Sequence, residues 1–106
     1  MSEVLLVLTN LPDRATAERI AEALVTARAA ACVNILHACT SVYRWQGEVE
    51  RAEEIPMLIK TTRAAYAGLE QQLRALHPYE VPEIVAVPVT AGWPAYLDWV
   101  ATETKE

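Results

Sequence analysis

The ten residues SVYRWQGEVE, Ser41–Glu50, decide the fold because they place a tight turn between two strand-forming arms. A glycine-containing pair between runs of β-branched and aromatic residues is typical of a β-hairpin. Working outward from the Gln46–Gly47 pair, the arms extend over residues 31–45 and 48–62. Pro56 cannot donate a backbone hydrogen bond, so the second arm is predicted to be an edge or to carry a bulge at that point.

This hairpin is longer than one small domain can cover. Each arm runs to about 14 residues, whereas strands usually have about 5–6. At a rise of about 3.3 Å per residue the hairpin would be ~45 Å long. Its distal end carries large apolar side chains, namely Val42, Tyr43, Trp45 and Val49. An isolated two-stranded ribbon is only marginally stable in water, so we predict that other copies of the chain bury this overhang in a homo-oligomer.

Regular elements flank the hairpin on both sides. Continuous apolar runs predict strands at 4–9 and 83–90, helical spacing of apolar residues predicts helices at 13–29 and 63–76, and a short terminal helix is predicted at 95–106. Asp13 and Thr62 are the expected N-caps of the two longer helices. The order β-α-β-β-α-β plus a small helix is the ferredoxin-like α+β pattern, an antiparallel sheet with two helices on one face. Residues 1–106 are predicted to form a single domain.

Composition excludes several kinds of partner. The chain has 9 Lys and Arg against 14 Asp and Glu, a formal net charge of -5, and nonspecific nucleic-acid binding needs a basic face instead. The first ten residues, MSEVLLVLTN, have an acid at position 3 and only a short apolar run. They indicate a strand rather than a signal peptide or a membrane span, so a cytoplasmic protein without membrane contacts is expected.

The chain lacks the common catalytic motifs. It has only 3 glycines, too few for a phosphate-cradling loop, and no nucleophile-elbow or zinc-hydrolase signature. An acylphosphatase, which shares the predicted topology, would need an arginine-bearing anion loop after the first strand. Here Arg14 follows that strand within the predicted helix. We therefore expect that the protein is not an enzyme.

Five segments, in order and at matching spacing, carry a family resemblance: AACVNI (30–35), SVYRWQGEVE (41–50), IKTT (59–62), HPYEVPEI (77–84) and YLDWV (96–100). Over nearly the whole chain they resemble the CutA family of divalent-cation tolerance proteins. The resemblance implies a homotrimer of ferredoxin-like subunits, similar in architecture to the PII signalling trimers, with long hairpins packed between neighbours. It also implies a role in tolerance of copper and other divalent metals, with no established reaction.

The resemblance further implies candidate metal ligands. Metal-binding members have a proposed cysteine ligand at the end of the first strand and a histidine pair before Pro-Tyr. Thr9 and Leu76 stand at two of these positions, and only His77 matches. An imidazole is a good copper or zinc ligand, and donors can come from another chain across an interface, so the candidate set is His77, Cys32 and Glu83. The alternative is that His77 caps the end of a helix, where a cation complements the dipole.

Further candidates belong to a predicted cleft between subunits, formed by Tyr43, Trp45, Lys60 and Tyr79. Tyr79 and Glu83 either line this cleft or belong to a stiff crossover, because the neighbouring prolines restrict the backbone. Lys60, in an otherwise apolar strand end, either forms an ion pair with Glu54 or Glu83 or binds an anion.

His37 and Cys39 are two residues apart, so on a strand they lie on the same side and either chelate a soft metal or pack in an interface.

Two functions follow as hypotheses. The first is a trimeric metal-tolerance protein that binds divalent cations at or near subunit interfaces, with Cu(II) or another divalent cation as ligand and no cofactor required. The second is a PII-like signalling or assembly module that binds a small ligand or a protein in its inter-subunit clefts.

Overall fold

The computed structural model describes residues 3–105, so Met1, Ser2 and Glu106 of the predicted 106-residue domain lie outside the described residues. Its elements, in chain order, are β1 (Val4–Leu11), α1 (Arg14–Thr26), β2 (Cys32–Ile35), β3 (Cys39–Trp45), β4 (Glu48–Thr62), α2 (Arg63–Leu76), β5 (Val85–Pro88) and α3 (Pro94–Glu103). The described strands form one antiparallel sheet in the order β2-β4-β1-β5, with β3 also paired to β4. The predicted ferredoxin-like α+β architecture is confirmed.

The core lies between one face of this sheet and the helices α1 and α2. Side chains alternate across a strand, so every second residue of β1 and β4 points to the helices. Val7, Leu11 and Ile59 are fully buried on this face, against Leu24 of α1 and Leu73 of α2. Each such side chain contributes roughly 1.5–3 kcal/mol by leaving water. The opposite face is covered only at one end, where α3 packs near Val4.

Local chemistry sets the helix ends. The side chain of Asp13 accepts from the amide of Thr16 at 2.8 Å, and that of Thr62 accepts from Ala65 at 3.2 Å, so both predicted N-caps are confirmed. Helix α1 ends three residues before the predicted position 29, because Arg28 adopts a left-handed backbone with φ 62°. Its amide and that of Ala29 turn back to carbonyls of the last helical turn, a motif that usually has glycine at this point.

The central hairpin is present and is divided by a bulge. Gln46 and Gly47 both have positive φ, 50° and 85°, as the two-residue turn that matches strand twist requires. Ile35 pairs with Met57, but Cys39 pairs with Glu54, so residues 36–38 lie opposite only two residues of β4. The bulge lies opposite Pro56, but its extra residue is in the first arm and not in the second arm, where it was predicted. The carbonyl of Pro56 accepts from Leu36 on this side, where its missing N–H would also point.

The hairpin extends beyond the helices. The longest dimension of the described chain is 44 Å, against 25 Å and 23 Å in the other two directions. Val42 and Val49, near the turn, are 60% and 66% exposed. The predicted apolar overhang is therefore present.

Candidate functional site

A groove runs between the hairpin and the segment that joins α2 to β5. We call it the hairpin–crossover groove; it is lined by Asn10, Pro12, Ser41, Val42, Tyr43, Trp45, Gln46, Ala52, Glu53, Glu54 and residues 78–83. Three of the four predicted cleft residues, Tyr43, Trp45 and Tyr79, meet here. The bulge in the hairpin and the prolines of the crossover shape its two walls.

His77 anchors the crossover beneath this groove. It is buried, and its Nε2 lies 2.8 Å from the carbonyl oxygen of Asn10. Its Nδ1 accepts from the backbone N–H of Tyr79 at 3.2 Å. Because a backbone N–H can only donate, Nδ1 must be unprotonated, and the ring proton is therefore on Nε2, which donates to Asn10. Both ring nitrogens are thus engaged, and metal ligation by His77 in this conformation requires the release of one of these bonds.

The protonation state of His77 decides how it caps α2: as a cation that complements the helix dipole, or as a neutral ring that forms hydrogen bonds. It is the C-cap residue of α2, and its backbone amide donates to the carbonyl of Leu73 at 2.9 Å. Burial lowers the pKa of the imidazole below its ordinary value of 6.5, against the opposing effects of Asn10 and Glu54. The ring is therefore neutral at neutral pH, and it holds the crossover by hydrogen bonds rather than by a cation on the helix dipole.

Tyr79 and Glu54 join the crossover to the hairpin. The Tyr79 hydroxyl donates to Oε2 of Glu54 at 2.8 Å, and Glu54 is only 9% exposed. Burial, followed by this hydrogen bond, raises the pKa of Tyr79, so the phenol stays protonated and remains a donor. The ring of His77 lies 4.8 Å from that of Tyr79, centroid to centroid, and supports it from below.

Glu83 lies at the same end of the sheet. Its Oε1 accepts from the side-chain amide of Asn10 at 3.1 Å. Asn10 therefore contacts both His77, through its carbonyl, and Glu83, through its side chain. Two of the three candidate metal ligands are brought to one end of β1.

Cys32 and Lys60 lie elsewhere on the sheet. They are paired across β2 and β4, and Lys60 pairs on its other side with Leu6. Leu6 is four residues from Asn10 along β1, a separation of about 13 Å at the usual strand rise. The candidate ligands Cys32, His77 and Glu83 are thus not assembled within one subunit. Among residues 3–105 no group of three His, Cys, Asp or Glu side chains is placed to hold a metal ion.

Among residues 3–105 Lys60 forms neither of the predicted ion pairs, with Glu54 or with Glu83, and its alternative role in binding an anion stays a prediction. Its ammonium group contacts the side-chain oxygen of Asn34 and lies 3.8 Å from the sulfur of Cys32. The Tyr96 hydroxyl also contacts Cys32, and burial followed by this contact raises the pKa of Tyr96. Lys60 therefore belongs to a small polar cluster on the sheet face opposite α1 and α2, away from Glu54 and the groove.

The bulge places His37 and Cys39 in different surroundings. His37 is exposed in the irregular segment, and Cys39 is half-buried at the start of β3, with its sulfur 3.8 Å from the Ser41 hydroxyl. The strand geometry assumed for their i, i+2 spacing is thus absent at His37. Both sequence-based roles of the pair remain predictions.

Sequence reasoning missed the structural roles of Asn10 and Asn34. It also missed that Glu54 is buried with one carboxylate oxygen bound by Tyr79. Glu54 stood among four acids of one hairpin arm, and only the register of β4 distinguishes the buried member from its solvated neighbours. Asn10 follows an apolar run and carries no motif; its contacts come from residues 67 and 73 positions away.

The chain has extensive similarity to known proteins. The family model described as CutA1 divalent ion tolerance protein matches residues 5–103. A divalent-cation tolerance protein CutA of Thermus thermophilus is 50% identical over 104 residues, which cover 98% of this chain and 99% of that protein. The described residues contain no helix of the length and apolarity needed to cross a bilayer.

Solved structures agree with this match. The crystal structure of CutA from Xylella fastidiosa has a TM-score of 0.95 at 45% identity and covers 98% of this chain and 100% of that one. A protein from Archaeoglobus fulgidus, named a periplasmic divalent cation tolerance protein CutA, has a TM-score of 0.93 at 33% identity, with coverage of 96% and 99%.

Proposed function

The chain belongs to the CutA1 divalent ion tolerance family, and from this membership we propose that it is a homotrimeric metal-tolerance protein that binds divalent cations at or near its subunit interfaces. Cu(II) is the first cation to test. The observation that carries the proposal is that the candidate donors lie at separate places in one subunit, while the hairpin that could join subunits is apolar and uncovered.

Exposed apolar surface supports the assembly. Besides the hairpin tip, the sheet face opposite α1 and α2 carries Val85 and Val87, 49% and 47% exposed, with Trp99 on the adjoining α3 at 43%. Contiguous apolar patches on soluble proteins commonly mark interfaces. A hairpin from one subunit that packs against this face of the next would cover both surfaces at once.

Donor placement supports a shared ion site. A divalent ion needs three or more converging donors, and Cys32 and Glu83 lie at opposite ends of the sheet in one subunit. Glu83 is exposed and Cys32 half-buried, so both can contribute to a site completed by another chain. His77 joins such a site only if the N–H of Tyr79 or the carbonyl of Asn10 gives up its bond.

Two measurements on the full chain test this function. Sedimentation equilibrium is expected to give a trimer; a stable monomer would overturn the assembly. Calorimetric titration with Cu(II) is expected to show saturable binding that Cys32→Ser or Glu83→Gln weakens. Gln71→Ala, at an exposed side chain of α2 that is not a candidate ligand, is the control. Binding that is unchanged in Cys32→Ser, Glu83→Gln and His77→Ala would exclude this donor set.

A second candidate function is a PII-like module that binds a small ligand in a cleft between subunits. The hairpin–crossover groove favours it, because its aromatic residues Tyr43 and Trp45 lie on the overhanging hairpin, where a neighbouring subunit would form the remaining wall. Thermal unfolding with Cu(II) and with a metabolite panel discriminates the two functions, since a ligand stabilises the folded state in proportion to the logarithm of its excess over Kd.

Catalysis, a resident cofactor and nucleic-acid binding form no part of the proposal. The family is named for tolerance and not for a reaction. The guanidinium group of Arg14, the residue that an acylphosphatase mechanism would need for an anion, donates to the carbonyl of Leu36 at 2.8 Å. A cytoplasmic location and the absence of membrane contacts stay predictions from the sequence, and fractionation of the native host checks them.

A further inference from the structure

We propose that the hairpin–crossover groove binds a small organic cation with an amidinium, guanidinium or amine group on an apolar body. The proposal rests on the second candidate function, a ligand-binding cleft, and names the chemical class of its ligand. It is carried by the combination of aromatic walls with fixed carboxylates that form no salt bridge within residues 3–105.

The aromatic walls come from two separate parts of the chain. Tyr43 and Trp45, 44% and 39% exposed, line the groove from β3, and Tyr79 lines it from the crossover. Their positions are set by the bulge and by the hydrogen bond from Tyr79 to Glu54. The face of an aromatic ring attracts a cation through its quadrupole, and the effect increases as the cation loses water.

All charged residues that line the groove are acidic. Its lining includes the carboxylates of Glu53, Glu54, Glu80 and Glu83, and no lysine or arginine is among the lining residues. An anionic ligand would be repelled by this lining. A neutral ligand would make no use of it.

Two of these carboxylates are held in place by neutral groups. Glu54, 91% removed from solvent, has Oε2 bound by the Tyr79 hydroxyl, and Glu83 has Oε1 bound by the Asn10 amide. Within residues 3–105 neither carboxylate forms a salt bridge. A buried carboxylate is stabilised most strongly by a charge-assisted hydrogen bond, which an amidinium or guanidinium supplies in a planar fork. The positions of these two carboxylates are thus set by neutral hydrogen-bond donors.

A bare metal ion suits this groove less well than an organic cation. A divalent ion needs three or more converging donors, and no group of three His, Cys, Asp or Glu side chains among the described residues is placed to hold one. An organic cation does not need such convergence, because its apolar body can lie on the rings while its charged end meets one carboxylate.

The matched probes are benzamidine and benzamide, which have nearly the same shape but differ in charge. With the full chain in its native assembly, two-dimensional NMR is expected to show saturable shifts of the Trp45 indole N–H on titration with benzamidine. The indole signal of Trp93, which does not line the groove, is the internal control. Benzamide is expected to bind about tenfold more weakly, because it lacks the charge-assisted bond.

Variants sharpen the same test. Trp45→Leu and Tyr43→Leu are each expected to weaken benzamidine binding about 2–5-fold, the size of one exposed cation–π contact. Glu83→Gln is expected to weaken it about tenfold. Trp93→Leu, at a tryptophan that is 75% exposed and does not line the groove, is the matched control and should leave the affinity unchanged.

Three results would overturn the proposal: no shift at Trp45, equal affinity for benzamide, or the same loss in Trp93→Leu. Its failure is separable from that of the metal-tolerance function. If the protein binds Cu(II) saturably but does not bind benzamidine, the metal function stands and an organic cation is excluded. A groove already filled by a basic side chain of another copy would also exclude an organic cation.

Discussion

The two halves of β4 share one continuous strand and have opposite surroundings. In the second half Met57, Ile59 and Thr61 are fully buried between the sheet and the helices, whereas Val49 in the first half is 66% exposed. The first half is also the more polar one, because it carries Glu48, Glu50, Glu53 and Glu54, whereas residues 55–59 of the second half are all apolar. The difference in burial arises because α1 and α2 end where the overhang begins. A strand of this length is therefore stable along its whole course only if something else covers its first half.

The largest effect is expected in the covered half. Leu73→Ala removes a fully buried side chain of α2 that faces this part of the sheet, and it is expected to lower the free energy of unfolding by about 2–5 kcal/mol. Urea unfolding measures the change. Gln71→Ala, exposed on the same helix, should change stability by less than about 0.5 kcal/mol. A loss below about 1 kcal/mol for Leu73→Ala would mean that this half is less well packed than described.

The boundary between the halves depends on one hydrogen bond. Tyr79→Phe removes the donor to Oε2 of Glu54, which is 9% exposed. An unsatisfied buried carboxylate oxygen is expected to cost about 1–3 kcal/mol of stability. Calorimetry on Tyr79→Phe and on the double variant Tyr79→Phe/Glu54→Gln checks the origin of the loss. The double variant should recover part of the stability, and equal losses in the two proteins would contradict a role for the charge.

Replacement by alanine should change the stability in opposite directions at two glycines, Gly47 in the overhanging hairpin and Gly68 in the covering helix α2. Gly47, in the hairpin turn at φ +85°, has nothing within 4 Å of an added Cβ, so Gly47→Ala meets only backbone strain of about 1–2 kcal/mol. Gly68, inside α2, also has free space around it, and Gly68→Ala is expected to stabilise by about 0.5–1 kcal/mol. Thermal unfolding of both variants measures the contrast; two shifts of the same sign would break it.

The smallest effect is a pH dependence from His77. Its folded-state pKa lies below 6.5, so the unfolded chain binds the proton more readily. The stability contribution is therefore fully present above pH 6.5 and is lost as the pH falls through the folded-state pKa. Unfolding measured over this range should show a loss in the wild type that is reduced in His77→Gln. The exposed His37→Gln serves as control, and an unchanged slope in His77→Gln would assign the pH dependence to other groups.

Local chemistry made much of the fold predictable. Asp13 and Thr62 cap helices through neighbours three residues away, and the Gln46–Gly47 turn is complete in two residues. The early end of α1 was not predictable, because Arg28 takes a left-handed conformation that sequence patterns assign to glycine or asparagine.

The candidate site was predictable only in part. Aromatic residues of the hairpin and the crossover indicated a cleft, and Tyr43, Trp45 and Tyr79 do line one groove. Which acid is buried beside Tyr79 depends on a contact between residues 25 positions apart, set by the register of β4. The separation of Cys32 from His77 likewise follows from strand pairing and not from any local pattern.

The bulge at residues 36–38 has a consequence for the length of this segment. Before it, the even-numbered Cys32 pairs with Lys60; after it, the odd-numbered Tyr43 pairs with the even-numbered Glu50. The single extra residue thus shifts the numbering of the pairs by one, and Tyr43 and Trp45 lie on the same sheet face as Lys60. Loss of one of these three residues would leave two residues opposite two, so Cys39 and every later residue of β3 could keep its partner on β4 and its sheet face. What such a deletion would remove is the local bend and added twist of a bulge, and with it the direction in which the distal hairpin leaves the sheet.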